Sequence, residues 1–191
     1  MQVNIELTGT TQLVMHNAQL ADPLNEWSKR IATLSGKRKK TEEDHEAIAK
    51  LELGGSLYVD SHGTIVMPAA NIKRTIQQGA KLRKLGKAVE RALLPAAPEF
   101  PLVYKGPQDA KGLSEDLNFR FRTSVKVGQS RVQRTRPRFQ QWAVRSTFEL
   151  LTDLLDMDDL QAVCEMAGLV EGLGDHRTLG SGRFRAKVTK A

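Results

Sequence analysis

Val3, Ile5 and Leu7 alternate with Asn4, Glu6 and Thr8 at the start of the chain, the period of two that gives a strand one buried face. A charged stretch follows. Asp22-Pro23 opens a helix through Trp27 and Ile31, "GKRKK" interrupts it, and Thr41 starts a second helix with Glu42, Glu43 and Asp44 in its first turn, where the helix dipole favours negative charge. Residues 22–55 therefore read as a charged helical insertion after the first strand. "LYVDSHGTIVMP" predicts two short β-rich runs around a turn at residues 60–63. From Pro68 onward, Ile72, Ile76 and Gly79 share one helical stripe, "PAAPEFP" ends the helix, and the chain as far as Gly112 reads as loop with a short strand over 102–104.

The clearest alternation lies in "NFRFRTSVKV". Phe119, Phe121, Thr123, Val125 and Val127 point one way and Arg120, Arg122, Ser124 and Lys126 the other, so one face is core and the other cationic. Residues 128–137 are basic and punctuated by Gly and Pro, and read as a hairpin or loop extension. Trp142, Val144, Phe148 and Leu150 then predict another strand, with Gln141, Arg145 and Thr147 opposite. "DMDDLQAVCEMAGLV" is an amphipathic helix with acids crowding its N-terminus. In the last strand Phe184, Ala186 and Val188 face inward, and Arg183, Arg185 and Lys187 outward.

With the insertion and extension set aside, the order is strand, helix, strand, strand, helix, strand. This is the ferredoxin-like (RRM-like) βαββαβ plan of an α+β protein, here expected as one domain over 1–191. Its helices cover one sheet face and leave the other open. Arg120, Arg122, Lys126, Arg145, Arg183, Arg185 and Lys187 are expected to line the open face.

Charge sharpens that picture. Lys and Arg number 29 against 22 Asp and Glu, a net charge of +7, which favours a polyanionic partner. Arg120, Arg122, Lys126, Arg131, Arg134, Arg136 and Arg138 occur without an intervening acid, and six of the seven are arginine, whose planar fork matches phosphate oxygens. The expected ligand is single-stranded RNA or DNA held through its phosphates, because the open face lacks the aromatics on which RNA-recognition domains stack bases. A second basic run, from Lys73 to Arg91, holds seven cations and one acid, Glu90.

Chemistry beyond binding has little footing. Cys164 is the sole cysteine, so neither an internal disulfide nor a CxxC pair is possible, and no HxH or HExxH spacing appears among the four histidines. No cofactor or metal is expected. His16 and His176 are the two side chains that could serve as base in metal-independent RNA cleavage, the alternative to a purely binding role. A third reading is a phage structural or adaptor protein whose basic face docks an acidic partner. The N-terminus lacks the charged and apolar regions of a signal peptide, and no apolar run approaches membrane-spanning length, so the expected location is cytoplasmic.

"GLGDHRTLGSGRF" sets Gly172, Gly174, Gly180 and Gly182 beside His176, Arg177 and Arg183. Its spacing matches neither G-x-G-x-x-G nor a P-loop. Gly174, five residues, then Gly180-Ser181-Gly182, placed between the second helix and the last strand, resembles the C-terminal glycine-rich loop of the RAMP superfamily, the repeat-associated proteins that form the guide-RNA-binding backbone of CRISPR effector complexes. "IVMPAANIKRTIQQ" resembles the family's Pro-Gly-Ser-Ser-x-Lys/Arg segment, carried here by Pro68, Ala69, Ala70, Asn71 and Lys73, with Ala where the family has Gly or Ser. The resemblance implies a non-catalytic role in which Gly174, Gly180 and Gly182 let a nucleic-acid strand approach the main chain while Arg177 and Arg183 contact phosphates. It also implies side-by-side self-association along that strand, with residues 128–137 reaching toward a neighbour, in a CRISPR-associated, phage or mobile-element setting.

Overall fold

Val3, Ile5 and Leu7 have no exposed surface, while Gln2, Asn4 and Thr8, which alternate with them, are open to solvent. That alternation makes β1 (Gln2–Gly9) a strand with one core face. The computed structural model describes residues 1–191, the side chain of Val127 excepted, so the inward placement expected of that side chain lies outside the described residues. After β1 come β2 (Leu13–Val14), α1 (Glu26–Ser35), α2 (Glu42–Ser56), β3 (Val66–Pro68), α3 (Ala69–Lys81), α4 (Gly86–Ala92), β4 (Leu93–Pro95), β5 (Glu99–Val103) and α5 (Ala110–Glu115). The remainder is β6 (Arg120–Val127), β7 (Ser130–Phe139), β8 (Ala143–Leu150), α6 (Met157–Met166) and β9 (Phe184–Lys190).

Two antiparallel sheets result. The larger runs β3-β5-β8-β1-β9, with β4 also paired to β8; the smaller runs β2-β7-β6. One core binds Val3, Ile5, Val144 and Phe148 of the larger sheet to Ile72 and Ile76 of α3 and Leu160, Val163 and Cys164 of α6. Burial raises the Cys164 thiol well above the usual range. The opposite sheet face stays open, and Asn4, Glu6, Arg145, Thr147, Lys187 and Thr189 line a shallow depression on it. The architecture is mixed α+β and compatible with a ferredoxin-like plan.

The pairing corrects one expectation. Arg120–Val127 does not join the larger sheet; β6 pairs along its whole length with β7, from Arg120 opposite Pro137 to Val127 opposite Ser130. A turn at Gly128, whose φ of 60° suits glycine, closes that local hairpin. The flank of β8 is instead taken by β4, where the sequence reads as the end of a helix, and by β5, which contains the start of the short strand expected over 102–104. Alternation specifies which face of a strand is buried and is silent on its neighbour. The open face consequently carries Arg145, Arg185 and Lys187, without Arg120, Arg122 and Lys126.

The helical hairpin of α1 and α2 is fastened by its own chemistry. The Asn25 side chain caps α1, and Thr41 with Asp44 forms a reciprocal capping box at α2. Trp27 of α1 lies across Gly54 and Gly55 of α2; a Cβ on Gly54 would stand 2.7 Å from the indole. The bare backbone is what admits the ring. α2 then packs on β7, with Leu53 wholly inside the core.

Candidate nucleic-acid interface

The β6–β7 hairpin contains no carboxylate, and its register sets Lys126 directly opposite Arg131. Like charges in directly opposed positions destabilise a ladder, so the hairpin tip holds positive charge against its own interest. Arg122, Lys126 and Arg131 are exposed and make no ion pair or side-chain hydrogen bond among the described residues.

The other hairpin arginines are engaged within the chain. Arg120 pairs with Glu46 at 2.6 Å and its Nε donates to the Ser114 carbonyl at 2.7 Å. Arg134 pairs with Glu52 at 2.6 Å, and Arg136 pairs with Asp175 of the glycine loop. Arg138 donates to the Asn118 carbonyl at 2.9 Å. These side chains fix the hairpin to its surroundings, leaving Lys126 and Arg131 at its tip, and Arg122 further down β6, free.

The glycine loop is anchored to the turn after β1 and to β2. Asp175 N–H donates to the Val14 carbonyl at 2.7 Å, Gly182 N–H to the Gln12 carbonyl at 2.7 Å, and the Thr11 hydroxyl to the Gly180 carbonyl at 2.8 Å. A Cβ on Gly182 would fall 1.8 Å from the Leu173 carbonyl oxygen, so the chain's own backbone demands glycine there. At Gly174 a Cβ would likewise meet the Val14 carbonyl. Gly180 differs: with φ at 87° its Cβ position meets nothing within 4 Å, so its missing side chain leaves open surface. Arg177 is exposed beside it, whereas Arg183 Nη2 donates to the Arg177 carbonyl at 3.3 Å and its Nη1 is buried without a partner.

Hairpin and loop meet through His176. Its ring stands edge-on to Phe121, with centroids 5.0 Å apart, and its backbone holds the left-handed conformation at φ 55°. Its Nε2 is buried without a hydrogen-bond partner. Partial desolvation first, then the charge of Arg136, lowers the His176 pKa; desolvation, Arg136 and Arg134 lower that of His16 more than Glu52 raises it, with a smaller lowering from His176 itself. Both imidazoles thus sit in positive potential.

His16, Arg122, Arg134 and Arg136 line a groove of about 880 Å³ between the α1–α2 hairpin and the β6–β7 hairpin. Lys73 is not brought to it: it lies on α3, donating to the Glu90 carbonyl at 2.8 Å. Arg145, 3.5 Å from Glu6, stands with Arg185 and Lys187 on the open sheet face. Sequence reasoning missed Glu52, Ser56 and Asp175, which build or brace the groove. The adjacent Gly54 and Gly55 inside a helical stretch were the available signal, since paired glycines there mark close approach of another element. Among the described residues no group of three or more His, Cys, Asp or Glu is placed to hold a metal ion, and no helix is long and apolar enough to cross a membrane.

No protein-family model matches the chain, and no curated protein matches it. Among solved structures, it is similar to a chain of the Type III-B Cmr-beta bound to cognate target RNA, determined by cryo-EM, with a TM-score of 0.54 and 13% identity. The match covers 99% of this chain and 60% of that one. At this identity the likeness is one of fold.

Proposed function

We propose that this chain is a RAMP-like, non-catalytic protein that binds single-stranded nucleic acid through its phosphates and assembles side by side along the strand. In this reading β1, α3, β5, β8, α6 and β9 are the βαββαβ core, and the β6–β7 hairpin is its basic extension. The observation that carries it is the opposed pair Lys126 and Arg131 on a hairpin without carboxylates. A row of phosphates turns that repulsion into attraction. The fold-level likeness to a chain of an RNA-bound complex supports the same reading.

Fluorescence anisotropy with single-stranded RNA and DNA across a salt series tests it. The logarithm of affinity should fall with log salt by about 0.7 for each phosphate neutralised. Arg122→Glu combined with Arg185→Glu should weaken binding to every sequence alike, because phosphate contacts carry no base information. Salt-independent binding, or none, overturns the proposal.

Metal-independent cleavage of RNA is the second reading, favoured by one observation: His16 lines the groove together with Arg134 and Arg136, and the Arg136 charge helps to lower the pKa of both His16 and His176. An imidazole kept neutral can take the proton of a ribose 2′-hydroxyl while a guanidinium offsets charge on the phosphate. Incubating labelled RNA with the protein and a chelator separates the readings. Product that disappears in His176→Ala supports cleavage; intact RNA under saturating protein leaves binding alone.

A further inference from the structure

The groove between the two hairpins holds more than cations. Ile31, Ile48, Val125 and Val132 line it beside Glu52 and Ser56, two buried polar side chains exposed by only 5% and 1%. The Ser56 hydroxyl has no hydrogen-bond partner in the chain, which for a buried polar group is a cost the fold has no evident reason to bear. The Glu52 oxygens accept from Arg134 and from the Thr135 N–H, one bond each, and a carboxylate oxygen has a second lone pair to offer. Exposed Arg122 stands beside these groups.

Such a combination suits one ligand chemistry. Apolar walls take the faces of a flat ring, the acceptor-only Glu52 carboxylate takes amino protons on its edge, the Ser56 hydroxyl accepts or donates beside it, and a guanidinium takes the phosphate attached to it. The volume lies in the range of about 300–1,000 Å³ usual for small-ligand sites. From this we infer that the groove is a nucleobase pocket that admits an unstacked base of the bound strand and favours bases carrying an exocyclic amino group. The pocket makes the α1–α2 hairpin a specificity element: its helices supply Ile31, Ile48, Glu52 and Ser56, whereas β6 and β7 supply Arg122, Val125 and Val132. The inference rests on the nucleic-acid reading above and adds base selection to it.

Oligocytidine and oligouridine of equal length test it, with an abasic strand as a third ligand. The three carry the same phosphates, and cytosine presents an amino group where uracil presents a carbonyl. The intact protein should bind oligocytidine about tenfold more tightly than oligouridine, the scale of a hydrogen bond to a charged group. It should hold the abasic strand most weakly. Ile48→Trp, which fills the groove, should erase the preference. Ser56→Ala removes an unpartnered hydroxyl, so it should leave the melting temperature unchanged or raised while cutting oligocytidine affinity about fivefold. Ser56→Ala therefore serves as the test even if Ile48→Trp fails to fold. Equal, salt-sensitive binding of all three ligands overturns the pocket and leaves the phosphate-binding proposal standing; failure to bind any of them overturns both. A preference that persists in folded Ile48→Trp, or an oligocytidine affinity undiminished in Ser56→Ala, also overturns the pocket.

Discussion

Glu52 of α2 holds Arg134 of β7 at 2.6 Å, 82 positions away in sequence, and its other oxygen accepts the Thr135 N–H at 2.8 Å. One buried carboxylate thereby joins the helical hairpin to the basic hairpin and forms part of the groove between them. The contact is structural first. Any effect of Glu52 on binding acts through a site whose two walls it also ties together.

Removing that carboxylate should loosen the groove. Glu52→Ala leaves the buried Thr135 N–H without an acceptor and should destabilise the protein by about 1–3 kcal/mol. Glu52→Gln keeps an acceptor and should cost less. Urea denaturation of both variants against the parent measures the difference, and equal midpoints would show that the joint contributes nothing.

Glycine substitutions should divide by position. Gly182→Val collides with the Leu173 carbonyl and should abolish or severely impair folding. Gly180→Val meets open space; it costs about 1–3 kcal/mol for a side chain forced to positive φ, and the folded protein should bind single strands more weakly. Melting curves and anisotropy on the same preparations check both. Unchanged affinity in Gly180→Val would remove that glycine from the binding surface.

The two histidines give a pH dependence with a defined sign. Their folded pKa values lie below the ordinary 6.5, so between those values and 6.5 the unfolded chain binds more protons than the folded one. Stability should therefore be full above about pH 7 and decline as pH falls through 6.5 toward the folded values. A bound phosphate strand has the opposite effect, since its charge favours the imidazolium. Single-strand affinity should rise on acidification over the same window, and His16→Gln with His176→Gln should flatten that rise. A pH-independent affinity in the parent would place the strand away from both rings.

The outer edge of β9 should depend on one glutamine. Gln161 of α6 accepts from the Val188 N–H at 2.7 Å and donates to the Ala186 carbonyl at 3.1 Å, while Glu165 holds its amide at 2.6 Å. This side chain occupies backbone groups that an exposed edge would offer to another strand. Gln161→Ala should raise self-association in the absence of nucleic acid, visible by sedimentation as a concentration-dependent larger species. A variant that sediments like the parent would show that the edge is protected without it.

Sequence alone determined the parts governed by local period and local sterics. Val3, Ile5 and Leu7, the inward residues of β8, the stripe of α3 and the acid-capped α6 were legible because burying one face imposes a period of 2 or 3.6 on neighbouring residues. The glycine loop was legible as a place needing bare backbone, although its reason was not: the Leu173 carbonyl that excludes a side chain at Gly182 is visible only once the loop is folded on itself. Tertiary structure alone decided which strand lies beside which. It sent Arg120–Val127 to the smaller sheet, and it brought β4 and β5, of which only the short strand over 102–104 was expected, against β8. It also decided which arginines are spent on the fold. Arg120, Arg134 and Arg136 read as equal to Arg122 and Arg131 in the chain, but Glu46, Glu52 and Asp175 reach the first three from 39 to 82 positions away. Ion partners at that range carry no sequence period, because a charge needs only proximity in space, and proximity is set by how the hairpins pack.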